Sequence, residues 1–179
     1  MTPDLLNQFA AIVGEKNVIR DAAEMAGYMK EWRDIWVGKS PLVMRPSSTE
    51  EISRILKLAS ETGTAIVPQS GNTGLVGGQI PFENGQELLL SLDRMTKILD
   101  VDAADNTMTV QAGATLKSVQ DAAVEAGRLF PLSLASEGSC RIGGNLSTNA
   151  GGLNVLAYGN ARDLCLGLEV VLPDGRIWN

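Results

Sequence analysis

The chain has 179 residues, 44% of them hydrophobic, with 15 basic and 21 acidic side chains, a net charge of −6 and no histidine. That length and apolar content suffice for a buried core in one domain with two subdomains. The lack of a cationic block excludes an electrostatic footprint for nucleic acid or anionic membrane, and the lack of histidine removes the commonest metal ligand and neutral-pH general base.

In chain order, Thr2-Pro3 supplies an N-cap and a first-turn proline ahead of Leu5, Leu6, Phe9, Ile12 and Val13, a helical stripe closed by Gly14. Residues 17–40 are mixed in character and read as an irregular entry arm, with Trp32 and Trp36 as packing anchors. Leu42-Val43-Met44 predicts a short strand, and Ser48 to Glu51 predicts a capping box before Ile52, Ile55, Leu56 and Ala59, with Gly63 as the stop. Strands are predicted over Thr64–Val67, Leu88–Leu92, Ile98–Val101 and the alternating Thr107–Gln111. A second helix is predicted from Leu116 to Ala126, stopped by Gly127.

From Pro131 to about residue 160 the chain is glycine-rich and irregular, longer than an ordinary connection, which marks a functional segment. Leu168–Leu172 predicts a last strand, and Asp174-Gly175 a hairpin turn with a return arm of only Arg176 to Asn179. A hairpin cut there predicts a truncated chain, since a two-stranded edge needs further packing. Neither a membrane-spanning helix nor a secretory signal is indicated, so a cytoplasmic address is expected. Cys140 and Cys165 form no C-x-x-C pair and read as small, reduced thiols.

Two glycine-rich runs about seventy residues apart carry the functional signal: Pro68-Gln69-Ser70-Gly71-Asn72-Thr73-Gly74-Leu75-Val76-Gly77-Gly78, and Gly138-Ser139-Cys140-Arg141-Ile142-Gly143-Gly144-Asn145 running on through Thr148 and Asn149 to Gly151-Gly152. Both mix glycines with hydroxyl and amide side chains, the composition that lets bare backbone N–H groups approach an anion. Neither has the spacing of a dinucleotide-binding Rossmann loop or of a Walker loop. Alone, the first run reads equally as a glycine-rich strand end; the second tips the balance toward a nucleotide ligand. Ser70 to Leu75 would act as the nest for a pyrophosphate, with Ser70, Asn72 and Thr73 adding side-chain donors and Gly71 and Gly74 permitting close approach.

The two runs, with Pro46-x-Ser48-Thr49-Glu50-Glu51-Ile52, Gln111-Ala112-Gly113, Pro131-Leu132, Tyr158-Gly159 and Gly167-Leu168-Glu169-Val170-Val171-Leu172 followed by Asp174-Gly175, occur in an order that resembles the FAD-binding domain of the vanillyl-alcohol oxidase (PCMH) type. The resemblance is strongest to the D-2-hydroxyacid dehydrogenase branch, which includes D-2-hydroxyglutarate, D-lactate and glycolate dehydrogenases. It implies an α+β fold of two small subdomains, 41–110 and 111–179, clamping the flavin, preceded by an N-terminal helical arm over 1–40. By the same resemblance the FAD contacts would be Pro68, Gln69, Ser70, Gly71, Asn72, Thr73, Gly74 and Leu75 in the first run. Pro131, Gly138, Ser139, Gly143, Gly144, Asn145, Thr148, Asn149, Gly151 and Gly152 would follow, with Val170 as an apolar wall near the adenine.

The implied parent enzyme oxidises a D-2-hydroxyacid to a 2-oxoacid by hydride transfer to flavin N5 and passes electrons to an acceptor other than oxygen; a homodimer is left open as its assembly. Some relatives attach flavin through a histidine where this chain has Asn72, so attachment here would be noncovalent. The catalytic and metal-binding residues of that branch lie in parts of the protein that follow the end of this chain, leaving no catalytic and no metal ligand residue within it. Arg141 and Arg162 read as intradomain or surface partners rather than substrate clamps, and Asp163 and Glu169 as groups that fix turns and strand ends. Alternatives are another oxidase or reductase of the same flavin superfamily, or a truncated, non-catalytic flavin-binding module.

Overall fold

The computed structural model describes residues 1–179. The fold is α+β and divides into two compact units, one of Met1–Arg94 with Gly167–Asn179, the other of Met95–Leu166.

The first unit is built on a four-stranded sheet of β1 (Val18–Ile19), β2 (Val43–Met44), β3 (Ile66–Gln69) and β4 (Leu88–Ser91), in the spatial order β1-β2-β4-β3. The pairs β2–β4 and β3–β4 are parallel, while β1 runs antiparallel to β2. Parallel strands cannot be joined by a tight turn: residues 70–87 carry the chain from β3 to β4 without a helix, and a helix carries it from β2 to β3, which lie on either side of β4. That helix is α3 (Thr49–Thr62), which follows α1 (Pro3–Val13) and the short α2 (Ala22–Met25) in the chain.

Burial follows the pleat. Met44, Leu88 and Leu90 face a core with Phe9, Val13, Leu42, Ile55 and Ala59, packing the sheet on α1 and α3. Val43 and Leu89 face the other way, onto Ile19, Met25, Tyr28 and Met29. Because β4 is central and covered on both faces, all four of its residues are buried, and Leu88, Leu89 and Leu90 form an apolar run rather than an alternation. Pro68, which has no N–H for a ladder, is tolerated because β3 lies at the sheet edge.

The caps explain the helix limits. Thr2 Oγ1 accepts from Leu5 N–H at 3.3 Å, and Gly14 closes α1 at φ 82°. Ser48 Oγ accepts from Glu51 N–H at 3.2 Å, and Gly63 ends α3 in the left-handed region. The expected capping box is displaced by one residue, because the Glu51 carboxylate reaches back to Ser47 N–H at 2.7 Å rather than to Ser48.

Residues 17–40 are no separate arm. They supply β1, α2 and the Tyr28–Met29 cover of the second sheet face, and then a hairpin-like strap bridged between Lys30 and Val37. At its centre the fully buried Glu31 carboxylate accepts from Arg33 and Ile35 N–H, both at 2.8 Å, and more weakly from Trp36 N–H. Burial pushes this carboxyl up, but the three N–H donors and the Arg33 charge outweigh it, so it ionises below the usual carboxylate range. Trp32 and Trp36 are not buried anchors: Trp32 is 80% exposed and Trp36 52%, although the Trp36 ring lies directly over Gly77.

The last residues return to the first unit as a hairpin of β7 (Val170–Val171) and β8 (Ile177–Trp178) around the expected Asp174-Gly175 turn. Its tip lies against α3. Ser53 Oγ donates to Gly175 O at 2.5 Å, and a Cβ on Gly175 would stand 2.6 Å from Ser53 O.

The second unit holds the antiparallel pair β5 (Ile98–Asp102) and β6 (Thr107–Val110), with a register shift between Ile98 and Asp100. Then come α4 (Leu116–Glu125), α5 (Ile142–Thr148) and α6 (Val155–Tyr158). Leu116, Leu132, Cys140 and Ala161 form its core, with Phe130, Ile142 and Leu146 packed around them. The division by contacts therefore differs from the boundary expected at 110/111. The β5–β6 pair belongs with α4, which packs on β5, whereas the terminal hairpin belongs with α3.

Two outcomes follow from these contacts. Gly175→Ala, which adds a Cβ against α3 at φ +86°, is expected to cost about 1–3 kcal/mol in urea unfolding; an unchanged midpoint would show that the tip is not seated there. For Glu31, a folded pKa below the unfolded one means a stabilisation that is complete above the ordinary value of 4.5 and lost as pH falls through the lowered folded value. Acid should therefore loosen the strap, seen as a tryptophan fluorescence shift below about pH 4.5, and Glu31→Gln should remove that transition.

Candidate functional site

Each glycine-rich run sits where its unit leaves the regular structure. The first follows β3 directly, and its residues differ in what they present. Gln69 is buried, and its Nε2 donates to Tyr28 O at 2.9 Å and to Gln79 O at 3.0 Å. Asn72 holds the left-handed conformation of the loop at φ 51°, whereas Gly74 lies outside that region. The Asn72 Nδ2 donates to Gly27 O at 3.0 Å and to Lys30 O at 2.9 Å. That amide is thus engaged by the strap, and its part in the loop is to hold it rather than to offer a ligand donor.

What remains open in the loop is its backbone. No acceptor of the protein takes up the N–H groups from Gly71 to Val76. The Ser70 hydroxyl oxygen is buried and has no hydrogen-bond partner. A run of unpaired N–H groups beginning beside an orphaned hydroxyl fits an anionic group such as a pyrophosphate, which needs several donors and little steric bulk. Leu75 and Val76 beyond them are exposed, Val76 to 82%.

The second run is more ordered than its composition suggests. Ile142 to Thr148 form α5 in spite of two glycines, because the first-turn N–H groups of Ile142 and Gly143 donate to Ala114 O at 3.0 Å and Ala112 O at 2.8 Å. Gly143 is required there for packing: a Cβ would meet Ala112 Cβ at 2.9 Å. Asn145 is buried with its Nδ2 toward Cys140 Sγ at 3.7 Å, and the Ser147 and Thr148 hydroxyls turn back onto the carbonyls of Gly143 and Gly144. Asn149 ends the helix at φ 51° and accepts from Arg162 N–H at 3.0 Å.

Arg162 caps the same helix, donating to Leu146 O and Ser147 O, both at 2.9 Å, where a cation also suits the helix dipole. Arg141 donates to Gly113 O at 3.1 Å. Asp163 accepts from Asn160 N–H and Glu169 from Thr49, so all four charged residues have partners within the fold.

Gly138 stands in open space, where a Cβ would touch nothing. Gly152, at φ +131°, lets its segment lie on Ser133: a Cβ would stand 2.0 Å from Ser133 O. Around it Ser133, Leu134, Ala135, Glu137, Gly152 and Leu153 line a recess of about 370 Å³. Among the expected contacts Pro68, Leu75, Gly138, Ser139, Thr148, Gly152 and Val170 are exposed. Ser70 to Gly74, Pro131, Gly143, Gly144, Asn149 and Gly151 are half-buried, and only Gln69 and Asn145 are enclosed. Sequence reasoning missed Gln79, whose Nε2 donates to Gly74 O at 2.7 Å; a lone glutamine beyond a glycine run carries no signal of its own.

No helix is long and apolar enough to cross a membrane, and no cluster of three or more His, Cys, Asp or Glu side chains suited to a metal occurs in the structure. Residues 40–179 match the model of a family described as "FAD binding domain". Among curated proteins, the chain is 40% identical over 177 residues to a probable mitochondrial D-2-hydroxyglutarate dehydrogenase of Oryza sativa subsp. indica, covering 99% of this chain and 31% of that protein. It is 43% identical over 157 residues to a D-2-hydroxyglutarate dehydrogenase of Xanthomonas citri pv. viticola, covering 88% of this chain and 33% of that one.

The chain thus spans about a third of the length of the curated relatives it matches. Among solved structures, an alkyldihydroxyacetonephosphate synthase superposes with a TM-score of 0.88 at 22% identity, over 97% of this chain and 34% of that one, a likeness of fold. With the family match covering most of its length and carrying both glycine-rich runs, the chain belongs to the FAD-binding domain family.

Proposed function

We propose that this chain is the FAD-binding portion of a dehydrogenase that oxidises a D-2-hydroxyacid to the 2-oxoacid. The observation that carries the reading is the loop after β3, where unpaired N–H groups from Gly71 to Val76 follow the orphaned Ser70 hydroxyl in a member of an FAD-binding family. The loop would hold the pyrophosphate through its backbone, with Gly74 leaving room and Thr73 adding a hydroxyl. In the second unit Gly138, Ser139, Thr148 and Gly152 are the exposed members of the proposed contact set, while Gly143 packs on Ala112 and Asn145 is buried beside Cys140. The other expected contacts would also face the cofactor, Asn72 through its backbone N–H alone and Val170 as the apolar wall for the adenine.

FAD bound there would supply the hydride acceptor. Attachment would be noncovalent, because the chain has no histidine and the Asn72 amide is held by Gly27 and Lys30. The relatives' names put D-2-hydroxyglutarate first among the substrates. A base, a carboxylate clamp and any divalent metal would come from outside these residues, since Arg141 and Arg162 are engaged within the fold. The electron acceptor would be one other than oxygen. The address would be cytoplasmic, whereas the rice relative is named mitochondrial, and fractionation of the native host cells checks it.

The natural full-length protein should purify yellow and release FAD on denaturation; FMN alone, or a colourless protein that ignores added FAD, overturns the reading. It should reduce an artificial acceptor with D-2-hydroxyglutarate, whereas residues 1–179 alone, saturated with FAD and a divalent metal, should not. Dye reduction by that shorter chain, abolished by Gly74→Val, would place the catalytic groups within it. Gly74→Val itself crowds the Gln79 carboxamide, which a Cβ at 74 would approach to 3.0 Å. It should weaken FAD binding roughly tenfold in a folded protein.

A further inference from the structure

The side-chain amides around the first glycine loop are tied to carbonyls, and the pattern converges on Gln79. Gln69 Nε2 holds Gln79 O, so β3 fixes the backbone at residue 79. The Gln79 side chain then turns back into the loop, where its Nε2 donates to Gly74 O at 2.7 Å and to Asn72 Oδ1 at 3.3 Å. Asn72 completes the circuit by holding Gly27 O and Lys30 O.

The consequence lies in the peptide plane. The chain has no cis peptide bond, and in a trans peptide the C=O and the following N–H point in opposite directions. Fixing Gly74 O toward Gln79 therefore aims the N–H of Leu75 away from Gln79. The next peptide is oriented in the same way, because Arg33 donates to Leu75 O and so sets the N–H of Val76. Both N–H groups belong to the set that no protein acceptor takes up. An anion nest requires successive N–H groups held in a fixed orientation before the ligand arrives.

We propose that Gln79 is a positioning residue for the flavin pyrophosphate: through Gly74 O and Asn72 it sets the direction of the N–H groups that would receive the phosphate oxygens. The inference rests on the FAD reading above. Gln79 itself touches no ligand in this account.

The test uses the natural full-length protein, freed of flavin, with FAD affinity measured by quenching of flavin fluorescence and folding checked by circular dichroism. Gln79→Leu removes both hydrogen bonds and should weaken FAD binding about tenfold or more, two bonds of ordinary strength. Gln79→Glu separates positioning from general damage. Ionised, its carboxylate opposes Gly74 O and Asn72 Oδ1; protonated, it regains a donor. Facing two carbonyl oxygens, this carboxyl would be pushed above the ordinary glutamate value, so its FAD affinity relative to wild type should improve several-fold between pH 8 and pH 5.

Wild-type protein that does not bind FAD overturns the cofactor reading and this inference with it. FAD binding by wild type together with unchanged affinity in Gln79→Leu, or a Gln79→Glu to wild-type ratio that stays flat with pH, overturns the role of Gln79 and leaves the cofactor reading intact. Should Gln79→Leu fail to fold, the pH series in Gln79→Glu decides alone.

Discussion

A glycine-rich loop that must leave its N–H groups open cannot hold itself in place. It lacks side-chain mass to pack, and its own donors are reserved, so its shape must be imposed through its carbonyls and its few polar side chains. The loop after β3 meets this constraint with three carboxamides and one guanidinium: Gln69, Asn72, Gln79 and Arg33. All of them attach the loop to segments that are themselves fixed by the sheet or by the strap of residues 30–37.

The strap depends in turn on a buried charge. Glu31 accepts three N–H groups from its own turn, which keeps the carboxylate ionised in spite of its burial and holds Arg33 and Trp36 where they meet Leu75 and Gly77. Its behaviour resembles that of an anion in a nest, with the anion supplied by the chain. Behind the strap, Met29 and Tyr28 pack on Val43 and Leu89, so the second face of the sheet carries the support of the loop. Tyr28 also donates to Asp93, which pairs with Arg45 at 2.9 Å and ties the ends of β2 and β4 to the same region.

The second unit solves a similar problem differently. There the glycines serve close packing as much as openness. Gly143 and Gly152 admit the backbones of Ala112 and Ser133, and the hydroxyls of Ser147 and Thr148 fold back onto their own helix. The composition shared by the two runs hides two physical uses of glycine, one that leaves backbone N–H groups open and one that clears a path for another stretch of chain.

Local signals were legible from the residues alone. Thr2 and Ser48 cap helices as their types dictate, the apolar run Leu88-Leu89-Leu90 makes a strand, and Asp174-Gly175 turns a hairpin. The order of the glycine runs and their flanking blocks was enough to point to an FAD-binding family. What the chain order could not convey is which strand lies in the middle: β4 enters between β2 and β3 only because its two faces are both apolar and both find cover. Nor could spacing reveal that α5 forms across two glycines, since the carbonyls of Ala112 and Ala114 that anchor it lie some thirty residues earlier. Gln79 and Glu31 were invisible for the same reason. A polar side chain acquires its role from the carbonyls and N–H groups that tertiary structure brings to it, and no local pattern encodes those partners.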